Sequence, residues 1–302
     1  MTIRADPTAV QQPLKACATV TSLRELISVG DPLLLPGAPN ALTARIIEEV
    51  GYEAVYLSGA GITNTYLGAP DIGLLTMSEL VAHVAAVRDA VSIPIVVDAD
   101  TGFGNALNVQ RTVRALERAG ANALQMEDQV FPKRCGHFSG KSVIGAEEMV
   151  GKIKAALDAR DSEDTLIIAR TDTGAVLGFE EAYRRAAMYR EAGADCVFVE
   201  APPSREILAE IPRRVPGPHV ANMVEGGMTP ILSREELGAM GYSIILYANT
   251  AMRAAMKAMI EALTVLRNEG SSKNLDDAIV SFDQRQKLVR RPMFEELSEK
   301  YM

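Results

Sequence analysis

The side chains with the most reactive surroundings in this sequence lie around Cys135. The segment KRCGH, from Lys133 to His137, places two cations and a histidine beside one thiol, and Lys141 follows soon after. Neighbouring positive charge lowers the pKa of a thiol and raises its thiolate fraction. The glycines of this segment are typical of a loop that closes over an anionic substrate. The residues themselves leave three roles open for Cys135: covalent nucleophile, proton donor or acceptor, or bystander.

The other cysteines and histidines are expected to be structural. Cys17 lies in the N-terminal arm, Cys196 in an apolar strand, His83 in the middle of a helix, and His219 at the start of a strand. No second Cys/His pair accompanies the one at Cys135, so a zinc site with four N or S ligands is disfavoured. Three cysteines are also too few for a disulfide framework and fit a reducing compartment.

Carboxylates follow two neighbouring apolar runs. Asp98 and Asp100 end one run with Ala99 between them, and Glu127 ends the next. Strand alternation would point both aspartates to the same side. Unpaired carboxylates repel and raise one another's pKa, so a divalent cation or a basic group is expected among them. Oxygen ligands favour Mg2+, with Mn2+ as a substitute, over zinc.

Further polar residues end later strands. They are Arg170, Glu200 and Asn222. A guanidinium at such a position can hold a carboxylate in bidentate geometry. A single charge at a strand end is more commonly a cap or an ion-pair partner, but together these residues would line one opening.

Eight short apolar runs rich in β-branched residues are predicted as strands. They are Pro32–Pro36, Ala54–Ser58, Ile93–Asp98, Ala123–Glu127, Leu166–Arg170, Cys196–Glu200, His219–Val224 and Ile244–Tyr247. Amphipathic helices are predicted between them, at Ala41–Val50, Ser78–Val91, Asn105–Ala119, Ala146–Ala159, Phe179–Ala192 and Arg234–Met240. Because each strand returns through a helix, the sheet should be parallel.

Eight such units favour a closed (β/α)8 TIM-type barrel over an open doubly wound sheet. Helix–glycine–strand junctions recur at every second unit, at Gly51, Gly120, Gly193 and Gly241. In a barrel, chemistry collects at the C-terminal ends of several strands, whereas an open sheet concentrates it in one crevice. The polar residues here follow most of the strand ends, as the barrel requires.

One domain spanning residues 1–302 is expected, with residues 250–302 as a helical C-terminal extension. The Ala- and Met-rich helix that begins near Thr250 leaves apolar surface to bury. Exchange of the extension between subunits would bury it, so a homo-oligomer is expected, as a dimer of dimers or homotetramer.

Composition restricts the partners and the location. Lys and Arg number 31 against 39 Asp and Glu, a net charge of -8, and no basic run could follow a phosphate backbone. Nucleic acid is therefore excluded as an expected partner. The N-terminus lacks a signal-peptide pattern, and no apolar run reaches the roughly 18 residues of a membrane span. A soluble, cytoplasmic protein acting on a small molecule is expected.

In its motifs the chain resembles the isocitrate lyase and phosphoenolpyruvate mutase superfamily, in the short lyase branch of 2-methylisocitrate and 2,3-dimethylmalate lyases. The resemblance runs from about Leu34 to Arg253. The motifs, in matching order, are Tyr56–Gly59, Pro70-Asp71, Asp98–Asp100, Glu127-Asp128, Lys133–His137 and Ala169–Asp172.

The resemblance implies a role for each matched residue. It implies that Asp98 binds Mg2+ directly and that Asp71, Asp100 and Glu127 hold metal-bound waters. The catalytic residues it implies are Cys135, as the acid that protonates the departing carbanion, with Tyr56, His137, Arg170 and Lys133. The substrate contacts it implies are Ser58, Gly59, Arg134, Gly136, Glu200, Asn222 and Arg253.

The implied activity is Mg2+-dependent carbon–carbon bond cleavage. A 2-hydroxy di- or tricarboxylate of the alkylmalate type would undergo retro-aldol cleavage to a 2-keto acid and a carboxylic acid. Alternatives are 2-methylisocitrate lyase, an oxaloacetate hydrolase or decarboxylase, and a barrel that only binds organic acids. The last would be expected to lose Asp98 or Cys135.

Two positions bear on the substrate. Methylisocitrate enzymes typically carry Thr-Glu-Phe-Gly after the strand-seven asparagine, whereas this chain has Val-Glu-Gly-Gly from Val224 to Gly227. The loss of the threonine hydroxyl disfavours a tricarboxylate. Ala248 stands where the lyases often carry Pro and oxaloacetate hydrolases carry Ser, which disfavours oxaloacetate hydrolysis.

Overall fold

Eight parallel strands form the centre of the fold. The computed structural model describes residues 22–28, 30–136 and 140–302. The strands are β1 Leu33–Pro36, β2 Val55–Leu57, β3 Ile95–Asp98, β4 Ala123–Glu127, β5 Leu166–Thr171, β6 Cys196–Val199, β7 His219–Asn222 and β8 Ile244–Tyr247. Each lies within about two residues of a run that alternation and β-branched composition predict.

The strands follow one another around a barrel. Their order is β1-β8-β7-β6-β5-β4-β3-β2, and all the paired neighbours are parallel. Between β1 and β2, Gly37 and Tyr56 form a parallel bridge, and the Ala38 amide donates to the Tyr56 carbonyl at 2.8 Å. The (β/α)8 barrel that eight strand–helix units predict is therefore confirmed.

The first helix of the barrel unit precedes β1, and the other helices of this unit connect successive strands. The helices are α1 Leu23–Ser28, α2 Ala41–Val50, α3 Gly59–Ile62, α4 Met77–Ala90, α5 Ala106–Arg118, α6 Ala146–Ala159, α7 Gly174–Leu177, α8 Phe179–Glu191, α9 Arg205–Arg214 and α10 Arg234–Met240, with a π-helix at Thr63–Leu67. Helix α9 forms although Pro212, a residue that normally ends a helix, lies inside it.

A second compact unit begins at Thr250. It contains α11 Thr250–Glu269, α12 Phe282–Leu288 and α13 Arg291–Tyr301. Several large apolar side chains of α11 are exposed, among them Met259, Ile260 and Leu263. Across the described residues, no helix has the length and apolar character needed to cross a membrane.

Alternation along the strands separates two apolar layers. Side chains such as Tyr56, Val96, Ile168 and Phe198 pack together inside the barrel, whereas their chain neighbours pack with residues of the surrounding helices. Since side chains two residues apart share a face, the interior face continues at the C-terminal strand ends into polar residues. These are Asp98, Gln125, Glu127, Arg170, Glu200 and Asn222.

A buried acid outside the barrel interior joins the ends of β4 and β5. Asp128 is fully buried and accepts hydrogen bonds from Thr171 Oγ1 at 2.7 Å, the Asp172 amide at 3.0 Å and Arg185 Nη1 at 3.1 Å. Arg185 also donates to the Ile144 carbonyl at 2.8 Å. Asp128 thus fixes the backbone of β5 where its polar residues begin.

We expect Asp128→Ala to lower the free energy of unfolding by about 3 kcal/mol, because it removes the acceptor from several buried donors and one carboxylate from a buried guanidinium. Urea denaturation would measure the change. Arg205→Ala, which breaks an exposed ion pair with Glu236, is the control and should have little effect. Equal midpoints for the two variants would contradict the role given to Asp128.

Candidate active site

Strand ends and the loop after β4 meet at the C-terminal mouth of the barrel. Arg170 at the end of β5 lies 3.2 Å from Glu127 of β4 and 3.8 Å from Glu200, which follows β6. Lys133, from the loop, reaches Asp71 and Asp100. The residues that the sequence predicts at several strand ends are therefore brought to one place.

Lys133 is a buried cation between two acids. Its Nζ lies 2.6 Å from Asp71 Oδ1 and 2.9 Å from Asp100 Oδ1, and the lysine side chain is 3% exposed. Burial opposes the charge on Lys133, but the surrounding carboxylates, Asp100 foremost, outweigh it and raise the pKa of the ammonium well above its ordinary value. The loop is therefore attached to the mouth by charge.

Asp98 and Asp100 share a site, but for a reason that differs from the predicted one. The strand ends at Asp98, and Asp100 has a φ of 48°, in the left-handed region, so strand alternation does not continue to it. The turn still brings both acids to Gly59, where a Cβ would lie 3.0 Å from Asp100 Oδ1 and 3.3 Å from Asp98 Oδ2. The Gly59 amide donates to Asp98 Oδ2 at 3.2 Å.

Burial makes the acids of this site hard to ionise. Burial, against the opposing attraction of Lys133, raises the pKa of Asp100 to about 7. Burial likewise raises the pKa of Glu127 well above its usual value, although Arg170 opposes the shift. A further positive charge among these carboxylates would favour their ionised forms.

Arg170 pairs with the acids on both sides of it. It donates to Asp172 through Nε at 2.9 Å and Nη2 at 3.1 Å, and its Nε lies 3.2 Å from Glu127 Oε2. Burial lowers the pKa of this guanidinium, but Asp172, Glu200 and Glu127 reverse the effect and raise the pKa well above its ordinary value. Arg170 is thus a fixed, fully charged group at the mouth.

Gln125 links two predicted site residues, and sequence analysis assigned it no role. The Tyr56 hydroxyl donates to Gln125 Oε1 at 2.6 Å, and Gln125 Nε2 donates to Asp98 Oδ1 at 3.3 Å. Burial, reinforced by the charge of Asp98, raises the pKa of Tyr56 well above its usual value. Tyr56 therefore keeps its proton. The alternation of Ala123, Gln125 and Glu127 was the signal that could have found the amide.

The Cys135 loop, residues 130–142 with 137–139 outside the described residues, is fixed at several points. Gln129 accepts from the Arg134 amide at 2.9 Å and donates to the Arg134 carbonyl at 2.8 Å. The Cys135 amide donates to the Asp71 carbonyl at 3.3 Å. Val130 donates to the Ser142 carbonyl at 2.9 Å. These bonds hold Cys135, a partly exposed cysteine, beside the acids.

Gly136 lies directly against the charged mouth. A Cβ at this position would stand 2.4 Å from both Arg170 Nη2 and Glu200 Oε1, so only glycine allows the approach. Asn222 Nδ2 donates to both Glu200 oxygens at 3.4 Å, and among the residues that the structure describes its buried Oδ1 has no hydrogen-bond partner. Gly136, Glu200 and Asn222 thus line one side of the site next to Arg170.

The residues at this mouth fit a divalent cation. The described residues bury six carboxylates there (Asp71, Asp98, Asp100, Glu127, Asp172 and Glu200) against the cations Lys133, Arg170 and Lys141. Glu127 Oε1 is buried and has no hydrogen-bond partner in the described part of the chain. An excess of negative charge with oxygen donors suits Mg2+. Within the described ranges, no three acidic, His or Cys side chains converge as direct ligands of a metal ion.

The remaining predicted substrate-binding and catalytic residues lie in different environments. Ser58 is buried and caps α3 by accepting from the Gly61 amide at 3.2 Å. The Arg134 side chain is exposed. Arg253 lies in α11, in the second unit, and His137 lies outside the described residues. Substrate contacts by Arg134 and Arg253 and a catalytic role for His137 stay predictions.

The cysteines and histidines that were expected to be structural lie in different parts of the chain. Cys196 is fully buried in β6, where burial raises the pKa of its thiol to about 12. His219 is fully buried at the start of β7, and His83 lies within α4. Cys17 lies outside the described residues.

Comparisons with known proteins identify the family of this chain. A family model described as phosphoenolpyruvate phosphomutase matches residues 23–267. The chain is 45% identical over 283 residues to 2,3-dimethylmalate lyase of Eubacterium barkeri, across 94% of this chain and 98% of that protein. It is 48% identical over 269 residues to 2-methylisocitrate lyase of Aeropyrum pernix, across 89% of this chain and 86% of that protein.

Solved structures show the same fold. A crystal structure of 2,3-dimethylmalate lyase, a PEP mutase/isocitrate lyase superfamily member, has a TM-score of 0.88 at 33% identity, covering 94% of this chain and 96% of its own. A phosphonopyruvate hydrolase in complex with oxalate and Mg++ has a TM-score of 0.84 at 33% identity, covering 93% and 98%.

A family match over most of the length, high coverage of named lyases and a shared barrel all point the same way. The chain therefore belongs to the phosphoenolpyruvate mutase/isocitrate lyase superfamily and is one of its carbon–carbon lyases.

Proposed function

We propose that this protein cleaves a 2-alkylmalate or a related 2-hydroxy diacid to a 2-keto acid and a carboxylic acid, with Mg2+ as cofactor. One observation carries the proposal. The loop that bears Cys135 is joined through Lys133 to the buried carboxylates, and its Gly136 lies against Arg170, so the backbone of Cys135 stands between a guanidinium and a candidate Mg2+ site. Such an arrangement suits an anionic substrate with an oxygen that becomes negatively charged.

Arg170 and the polar residues near it would bind the end of the substrate that becomes the keto acid. The guanidinium is buried, fully charged and held by acids on both sides. The buried Asn222 Oδ1, which has no partner among the described residues, offers an acceptor for a substrate hydroxyl. Because Tyr56 retains its proton and donates a hydrogen bond to Gln125, it takes part as a neutral hydroxyl rather than as an anion. A site preorganised in this way stabilises charge without moving at the moment of reaction.

The bond change follows from these positions. The substrate hydroxyl passes its proton to one of the ionised carboxylates at the mouth, the adjacent carbon–carbon bond breaks, and the oxygen becomes the carbonyl of a 2-keto acid. The electron pair stays with the leaving carboxylic acid as an enediolate, and Cys135 supplies the proton that neutralises it. The Cys135 amide donates to the Asp71 carbonyl, and the neighbouring Arg134 amide donates to Gln129. These bonds hold Cys135 at the mouth, where this transfer would take place.

Mg2+ would be held by Asp98, with Asp71, Asp100 and Glu127 binding its water ligands, and Mn2+ would substitute. When bound, the metal supplies positive charge that stabilises the substrate oxygen. The phosphonopyruvate hydrolase structure with Mg++ supports the choice of metal.

A second candidate is 2-methylisocitrate cleavage. The 48% identity to an enzyme of that name supports it. The Val-Glu-Gly-Gly sequence from Val224 to Gly227 favours the diacid instead, because it lacks the threonine hydroxyl that would meet an additional carboxylate. The 45% identity to 2,3-dimethylmalate lyase over nearly all of both chains supports the same choice.

The proposed function predicts release of a 2-keto acid from alkylmalates. A panel of 2-alkylmalates, 2-methylisocitrate, isocitrate and oxaloacetate would be assayed with Mg2+ and with EDTA. The highest kcat/KM should be for an alkylmalate, and EDTA should abolish it. Cys135→Ser should lower kcat by about 10²- to 10⁴-fold, the usual value of a positioned proton donor.

The control is Cys196→Ala, which removes a buried thiol of the barrel core. It should retain wild-type turnover. Preference for 2-methylisocitrate would select the second candidate, and turnover that withstands EDTA would exclude the Mg2+ mechanism. Unchanged turnover in Cys135→Ser would show that the thiol is not the proton donor.

Mg2+ binding should release protons below neutral pH. In the metal-free protein the pKa of Asp100 is about 7, so below that pH most of the acid is protonated, and a bound cation favours the carboxylate. Proton release should thus be large near pH 6 and decline as the pH rises above 7. Calorimetry in two buffers of different ionisation enthalpy would measure it. Asp100→Asn should release fewer protons at pH 6, and equal release would contradict the assignment.

We also propose a cytoplasmic homo-oligomer, a dimer of dimers, in which the second unit is exchanged between subunits. The exposed apolar side chains Met259, Ile260 and Leu263 on one helix support it, because an exposed apolar patch marks an interface. Light scattering should give a molar mass above that of one chain, and Leu263→Asp should reduce it. A wild-type monomer at micromolar concentration would contradict the proposal.

A further inference from the structure

Lys141 is a buried cation that the proposed chemistry does not use. Its Nζ lies 2.8 Å from Asp172 Oδ1 and donates a hydrogen bond to the Gly136 carbonyl. The lysine side chain is 3% exposed, and that of Asp172 is fully buried. One ammonium therefore joins the residue after Cys135 to the end of β5.

The acid that receives Lys141 is itself rigid. Asp172 accepts two hydrogen bonds from Arg170, through Oδ2 at 2.9 Å and Oδ1 at 3.1 Å, and its amide donates to Asp128 Oδ1 at 3.0 Å. Burial opposes its charge, but Arg170 and Lys141 outweigh burial and lower the pKa of Asp172 to about 2. Lys141 is thus attached to a carboxylate that stays ionised and does not move.

The other contact of Lys141 reaches the place where the Cys135 loop meets the mouth. Gly136 lies so close to Arg170 and Glu200 that a Cβ there would overlap both side chains. On the other side of Cys135, the Cys135 amide is bound to the Asp71 carbonyl. Cys135 therefore lies between two backbone contacts, and Lys141 provides one of them.

We propose that Lys141 is a positioning residue that holds Gly136, and with it the thiol of Cys135, against the Arg170–Asp172 pair. The inference concerns the placement of the thiol, and its effect on turnover rests on the proposed function. A lysine suits this place because its compact ammonium carries several donors, which can serve a carboxylate and a carbonyl at once. Small errors in the position of a reacting group cost much of its rate.

Loss of Lys141 need not unfold the protein. In Lys141→Met, the Asp172 carboxylate still accepts a hydrogen bond from Arg170, and the Asp172 amide still donates to Asp128. The buried Asp172 carboxylate therefore keeps a positive partner. Lys141→Gln retains an N–H donor for the Gly136 carbonyl but not the charge. Lys141→Arg retains the charge but has a larger planar head. Lys154→Met, at an exposed lysine of α6, is the matched control.

The first experiment measures alkylation of Cys135 by iodoacetamide in the full-length, metal-free protein, with each cysteine followed by peptide mass spectrometry. Lys141→Met should react at least about fivefold faster than wild type, because the released loop exposes the thiol. Lys154→Met should react at the wild-type rate, and Lys141→Arg should recover part of the protection. Buried Cys196 reports unfolding within the same sample.

If Cys196 becomes reactive in Lys141→Met, the same comparison is made with Lys141→Gln at a temperature where Cys196 is protected. An unchanged Cys135 rate while Cys196 stays protected would overturn the proposal. This readout needs neither substrate nor metal, so it decides the positioning role even if the proposed function fails.

The second experiment measures turnover on the best substrate of the panel. Lys141→Met should lower kcat by roughly tenfold while KM and the Mg2+ dependence change little, because the thiol is misplaced but the groups that bind substrate and metal are retained. A rise in KM with unchanged kcat would overturn the positioning role. An absence of turnover in the wild type would refute the proposed function alone.

Discussion

Carboxylates from several strand ends and from the loop at Asp71 are buried together at the mouth of this barrel, where little water can screen them. Ionising all of them would cost more than the fold could supply unless positive charge entered among them. Arg170 and Lys133 provide part of that charge, and the raised pKa values of Asp100 and Glu127 show that it is incomplete. The remaining imbalance is the physical basis for the proposed divalent cation.

The same imbalance organises the loop that carries Cys135. Lys133 on one side of the cysteine and Lys141 on the other are buried against acids from different parts of the mouth, Asp71 with Asp100 and Asp172 respectively. Charge that neutralises the site therefore also brings the thiol to it. In such an arrangement the acid cluster and the loop depend on each other, most directly through Lys133.

Different parts of this molecule could be predicted to different extents. The period-two runs gave all eight strands, and the strand-end residues Arg170, Glu200 and Asn222 do line one opening. Strand alternation predicted that Asp98 and Asp100 share a site. In the structure they do so because Asp100 itself has a left-handed backbone conformation. Helix α9, which contains Pro212, was not among the predicted helices. Gln125 and Lys141 had no motif of their own, since their importance lies in which side chains they meet.

The sequence alone determined the barrel, because hydrophobic periodicity and glycine junctions are local properties of the chain. It also determined that acids, an arginine and one cysteine would stand at strand ends and in a basic loop. The tertiary structure decided which charges pair. Lys133 bridges Asp71 and Asp100, Gln125 joins Tyr56 to Asp98, and Lys141 ties Gly136 to Asp172. Such contacts join residues distant in the chain, and their distances depend on the closed barrel as a whole.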